Sequence, residues 1–102
     1  MTYYQVFVSA ENKEQATAIL DALLEKQLVL GGPILEGPAQ FWWKEERIEM
    51  GYAYLVTYTT DKHKDTVIRV AIEASKEEVP MISFIPFEGN SELLALIDKT
   101  IG

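Results

Sequence analysis

Cysteine is absent from the 102-residue chain, which excludes a disulfide framework, a thiolate zinc or copper centre, an iron–sulfur cluster and a cysteine nucleophile. Basic residues are scarce, nine Lys and Arg against sixteen Asp and Glu, for a formal charge of -7. That sign opposes contact with nucleic acid or an anionic membrane and makes cations the favoured non-specific partners. No apolar run approaches the ~18 residues of a transmembrane helix. The start, Met1-Thr2-Tyr3-Tyr4-Gln5, lacks the basic stretch that opens a signal peptide. These features lead us to expect a cytoplasmic protein with neither nucleic acid nor membrane as partner. Gly-x-Ser-x-Gly, His-Glu-x-x-His and any triad-like Ser, His, Asp context are also missing, so hydrolytic chemistry has no visible apparatus and no enzyme is expected. Gly31-Gly32 and Gly89-Asn90 have neither Walker nor dinucleotide spacing and read as a bulge and a turn.

What the chain does contain is enough for one folded domain, expected to span residues 1–102. Hydrophobic residues make up 48% and charged residues 25%, as in soluble globular proteins. Alternation of Tyr4, Val6 and Val8 with Tyr3, Gln5 and Phe7 predicts a strand over 3–9. Asn12 followed three residues later by Gln15 is a variant capping box, and Ile19, Leu20, Leu23, Leu24 and Leu28 form one helical stripe. Residues 28–35 are apolar but broken by Gly31-Gly32-Pro33, which predicts an irregular strand.

Glu36-Gly37-Pro38 reads as a turn, 40–44 as a strand and 52–60 as another, joined through a charged hairpin loop or twisted ribbon over 44–51. A second helix is expected from Thr60 or Asp61 to about Ser75, with Val67, Ile68, Ala71 and Ile72 buried. A last strand over 81–87 is placed near an edge by Pro86. A tail helix capped by Asn90 or Ser91 carries Leu93, Leu94, Leu96 and Ile97. The order defines an α+β fold, a ferredoxin-like βαββαβ antiparallel sheet with both main helices on one face plus a short C-terminal helix.

An antiparallel sheet covered on one side normally alternates to polar residues on the other. This chain does not: Tyr3 and Phe7 stand opposite Tyr4, Val6 and Val8, and Ala53 and Leu55 stand opposite Tyr54, Val56 and Tyr58. Whichever face meets the helices, the other exceeds the few hundred Å² of apolar patch a soluble monomer tolerates. A closed homo-oligomer is therefore expected.

Phe41-Trp42-Trp43-Lys44-Glu45-Glu46-Arg47-Ile48, Glu78-Val79-Pro80-Met81-Ile82 and Glu88-Gly89-Asn90 together resemble the CutA family of divalent-ion-tolerance proteins. Leu28-Val29-Leu30-Gly31-Gly32-Pro33-Ile34 is similar to the glycine-bearing branch of that family. The resemblance implies a homotrimer, similar in architecture to the PII signalling proteins, with a role in divalent metal ion tolerance and no established reaction. An alternative it implies is a PII-like module that binds a small ligand in clefts between subunits. Trp42, Trp43, Tyr52, Glu78 and Pro80 are then the residues expected in those clefts or in trimer packing. The chain departs from the commoner family pattern at three places: Leu30-Gly31 lacks the second-strand cysteine, Ser75-Lys76-Glu77 replaces a His-Pro-Tyr, and Tyr58 replaces a lysine. Soft and imidazole ligands are thereby lost, so no resident cofactor is expected, and any divalent cation should bind weakly through carboxylates.

The metal candidates are Glu45, Glu46, Glu49 and His63. The three glutamates offer hard oxygen ligands beside the paired tryptophans, with a solvated hairpin face as the simpler reading. His63, the only histidine, has no partner at ligand spacing and reads as a solvated residue in a charged helical turn. Glu77 and Glu78, adjacent on an extended chain, should point apart and form no acid–base dyad. Trp42 and Trp43 should likewise project to opposite faces.

Overall fold

Period-two alternation becomes strand β1 (Tyr3–Ala10) in the computed structural model, which describes all 102 residues. Val6, Val8 and Ala10 on one side of β1 are fully buried. The chain continues through α1 (Lys13–Glu25), β2 (Ile34–Trp43), β3 (Glu46–Thr60), α2 (Lys64–Ala74), β4 (Ile82–Pro86) and α3 (Ser91–Ile101). The strands form one antiparallel sheet in the order β2-β3-β1-β4. Both main helices pack on the face of Val6, Val8, Ala53 and Leu55, where Ile19, Leu23, Val67 and Ala71 complete the core. The α+β, ferredoxin-like architecture expected from the element order is the one observed.

At the start of α1 the Asn12 side chain accepts a hydrogen bond from the Gln15 backbone N–H at 2.9 Å. The reciprocal arm of the capping box is not made, because Gln15 Oε1 is buried without a partner. The helix ends in a Schellman motif: Leu28 N–H donates to the Leu23 carbonyl and Gln27 N–H to that of Leu24, with Gln27 at φ 52°. The buried stripe is Ala16, Ile19 and Leu23; Leu24 turns outward, and Leu28 is buried beyond the helix end.

Three sequence-based expectations change along the middle of the chain. Residues 28–33 are not a strand but a connection laid along β3. Leu30 N–H donates to the Tyr58 carbonyl, Gly31 N–H to Thr57 Oγ1, and Thr59 Oγ1 to the Leu28 carbonyl. Glu36-Gly37-Pro38 is not a turn but the middle of β2. Val56 N–H bonds the Pro33 carbonyl, so the hydrogen-bonded pairs of β2 fall on odd residues and Pro38 turns its nitrogen to the open edge, where no donor is needed. Of the hairpin loop or twisted ribbon expected over 44–51, the ribbon is the one observed, and only Lys44-Glu45 turn, both at positive φ, 49° and 69°. That is a two-residue turn whose twist suits a hairpin, and β3 begins at Glu46 instead of residue 52.

Helix α2 starts at Lys64 after a turn through Asp61 and His63, later than Thr60 or Asp61 would place it. It buries Val67, Val70 and Ala71, while Ile72 is 52% exposed, because the face that meets α1 is rotated by a residue from the one read off the pattern. Strand β4 is a short edge strand ending at Pro86. Asn90 occupies the cap position of α3 without a side-chain cap bond; its amide instead donates to Glu92 Oε1. Helix α3 covers one end of the opposite sheet face, where Tyr3 donates to the Asp98 carboxylate at 3.0 Å and Ile97 is fully buried.

Candidate functional site

Strand β1 pairs with β3 only over 53–60, so the earlier half of β3 pairs with β2 alone. The result is a two-stranded ribbon projecting from the sheet. Alternation places Phe41, Trp43, Ile48 and Met50 on its half-buried side and Trp42, Arg47 and Glu49 on its exposed side. The half-buried side faces residues 76–81 across a cavity of about 630 Å³.

A part-buried hydrogen-bond network lines one wall of this cavity. Tyr52, itself buried, donates its hydroxyl to Glu77 Oε2, and Ser9 Oγ donates to Glu77 Oε1 at 2.7 Å. Ser9 Oγ also accepts from Met81 N–H at 2.8 Å, and Ser9 N–H donates to the Met81 carbonyl at 3.0 Å. Burial, and then the bond to Glu77, push the Tyr52 hydroxyl pKa well above the ordinary tyrosine range, so it remains a donor at neutral pH. At the mouth, Lys44 Nζ lies 3.2 Å from Glu78 Oε2 and 5.4 Å from the centre of the Trp43 ring.

Trp42, Trp43, Tyr52 and Glu78 all border the cavity. Trp42 does so from the far side of its strand, 72% exposed. Pro80 lies in the same segment, half-buried, but does not line it. Glu77 and Glu78 point apart, one to Tyr52 and Ser9, the other to Lys44.

Glu45, Glu46 and Glu49 are not gathered. All are exposed, Glu45 in the turn and the other two three residues apart on β3, hence on opposite sides. No group of three His, Cys, Asp or Glu side chains is arranged to hold a metal ion. His63 is half-buried, not solvated: its Nε2 lies 2.6 Å from the Ile101 carbonyl oxygen. A carbonyl can only accept, so that nitrogen carries the proton and is closed to a metal.

Ser9 is the site residue that sequence reasoning passed over, and Glu77 was read only as half of an acid–base pair with Glu78. The one available signal was a serine in a mostly apolar strand; its partner lies 68 residues away. Ser9 is 0% exposed and its hydroxyl is engaged as donor and acceptor, so it anchors the 76–81 segment and is not presented to a substrate. A second concavity of about 590 Å³ lies on the open sheet face beside Phe7, Leu35, Tyr54 and Ile85.

An antiparallel sheet with two helices on one face, an aromatic opposite face covered only at one end by α3, and a protruding ribbon marks a ferredoxin-like domain. The family model described as CutA1 divalent ion tolerance protein matches residues 4–100, and the chain belongs to that family. It is 32% identical over 98 residues to the divalent-cation tolerance protein CutA of Archaeoglobus fulgidus, covering 94% of this chain and 95% of the relative. The solved structure of the protein called periplasmic divalent cation tolerance protein CutA, also from Archaeoglobus fulgidus, superposes with a TM-score of 0.85 at 24% identity, over 98% of this chain and 99% of that one. CutA1 from Ehrlichia chaffeensis shares the fold with a TM-score of 0.90 at 16% identity, over 98% and 95% of the two chains. No helix is long and apolar enough to cross a membrane.

Proposed function

We propose that this protein acts in divalent-cation tolerance as a non-enzymatic homotrimer. The observation that carries the proposal is the sheet face opposite α1 and α2. Phe7, Tyr52 and Tyr54 form a run of edge-packed rings there, and Leu35 and Ile85 beside them stand 55% and 48% exposed. Burying such a face against further copies removes apolar surface from water at roughly 25 cal/mol per Å², which a monomer forgoes. The trimeric state is the one implied by the family resemblance. The non-enzymatic reading is supported by the engagement of Ser9, Tyr52 and Glu77 with one another. Light scattering at micromolar concentration should return three chain masses, and a monomer would overturn the proposal.

A second reading, favoured by the cavity behind the ribbon, is a PII-like module that holds a small ligand. A thermal-shift screen of nucleotides and small metabolites should find a stabilising compound; a screen without one counts against it.

A further inference from the structure

The cavity between the ribbon and residues 76–81 combines three features that point to one ligand chemistry. Its walls are aromatic and thioether, with Phe41, Trp43, Tyr52 and Met50. Its ionisable lining is three carboxylates, Glu11, Glu77 and Glu78, against the single cation Lys76. An ammonium group is already seated at its mouth, that of Lys44, held 5.4 Å over the Trp43 ring and 3.2 Å from Glu78.

We propose that this cavity binds an organic ammonium ion carried on an aromatic or aliphatic body, and that Lys44 is a tethered competitor for the cationic end of the site. The inference rests on the small-ligand reading above and names the ligand class. Ring faces attract cations through their quadrupole, and carboxylates repel an anionic ligand. A hard divalent ion such as calcium or magnesium takes six or more oxygens, whereas the walls are carbon and two acceptor positions of Glu77 are spent on Tyr52 and Ser9. The volume of about 630 Å³ suits a small molecule. The chain's charge of -7 raises the local concentration of any cation.

The test titrates the full chain with benzyltrimethylammonium, benzyl alcohol and benzoate, following the Trp43 indole N–H by NMR, with light scattering run in parallel. The ammonium probe should saturate, benzyl alcohol should bind about three- to fivefold more weakly, and benzoate should not bind. Glu78→Gln should weaken the ammonium probe about threefold, and Lys44→Gln should strengthen it by a similar factor. Lys99→Gln, which removes the same charge from α3, should change affinity less than Lys44→Gln does. Lys44 and Glu78 are 67% and 62% exposed, so these variants should fold. Equal binding of ammonium and alcohol, or affinity indifferent to both substitutions, overturns the ammonium assignment and leaves the cavity a ligand site. Failure of all three probes, as when a second copy fills the cavity, overturns the assignment and the small-ligand reading together.

Discussion

Among the glycines, Gly32 is the one at which a side chain would meet the closest backbone atom. A Cβ built there would stand 2.0 Å from the Val56 carbonyl oxygen, a backbone atom that cannot swing aside. Gly32→Ala should therefore push the 28–33 connection off β3 and break its hydrogen bonds to Tyr58 and Thr57, costing about 2–4 kcal/mol in urea unfolding. Tyr52 makes a different kind of contribution. Folding raises its pKa above the ordinary 10.0, so the folded chain keeps this proton at pH values where the unfolded chain releases it. The stabilisation is complete below pH 10 and falls as pH rises beyond it. Urea unfolding of the parent and of Tyr52→Phe should show a constant stability gap from pH 7 to 9 that narrows above pH 10. A gap independent of pH would show that the hydroxyl's titration is uncoupled from folding.

The elements are where local sequence patterns succeed and where they mislead. Strand β1 and the Ile19 and Leu23 part of the buried α1 stripe were legible because periods of two and of 3.6 are properties of neighbouring residues. The turn reading of Glu36-Gly37-Pro38 was wrong because composition does not reveal which sheet edge a strand occupies. At an outer edge, with its nitrogen turned away from β3, Pro38 costs no ladder bond. The hairpin turn was equally hidden, since Lys44 and Glu45 adopt positive φ without the Asn-Gly chemistry that announces such turns. The C-terminus of α1 offers a test of local strain. Gln27 holds a left-handed conformation, φ 52°, that glycine adopts freely, so Gln27→Gly should stabilise the protein by about 0.5–1 kcal/mol in urea unfolding. Destabilisation would mean that the Gln27 side chain makes a contact worth more than the backbone strain.

For the whole molecule the decisive feature is the uncovered sheet face. Leu35 and Ile85 are exposed in the single chain, so charging them should spare the fold and strike only assembly. The double variant Leu35→Glu, Ile85→Glu is expected to run as a folded monomer by light scattering with unchanged far-UV circular dichroism. A variant that stays oligomeric would place the subunit interface elsewhere. Metal binding belongs to this scale too, because no cluster of ligands forms within one chain. Calorimetry should find negligible copper(I) affinity and only weak binding of hard divalent ions; submicromolar copper affinity would contradict the loss of cysteine and histidine ligands.

By itself the sequence determined the α+β class, the order of its elements, the surplus of apolar strand surface and the lack of cysteine ligands. All of these follow from composition or from spacing within a few residues. Tertiary structure decided what joins across the chain: Ser9 with Glu77, 68 residues on, and Tyr52 with the same carboxylate, 25 residues away. It also decided which of the paired glutamates turns inward. Those pairings arise because β3 carries the ribbon past the end of β1 while the chain leaving α2 returns beside it. The hydrogen bonds that line the cavity depend on where distant segments cross, which no local pattern records.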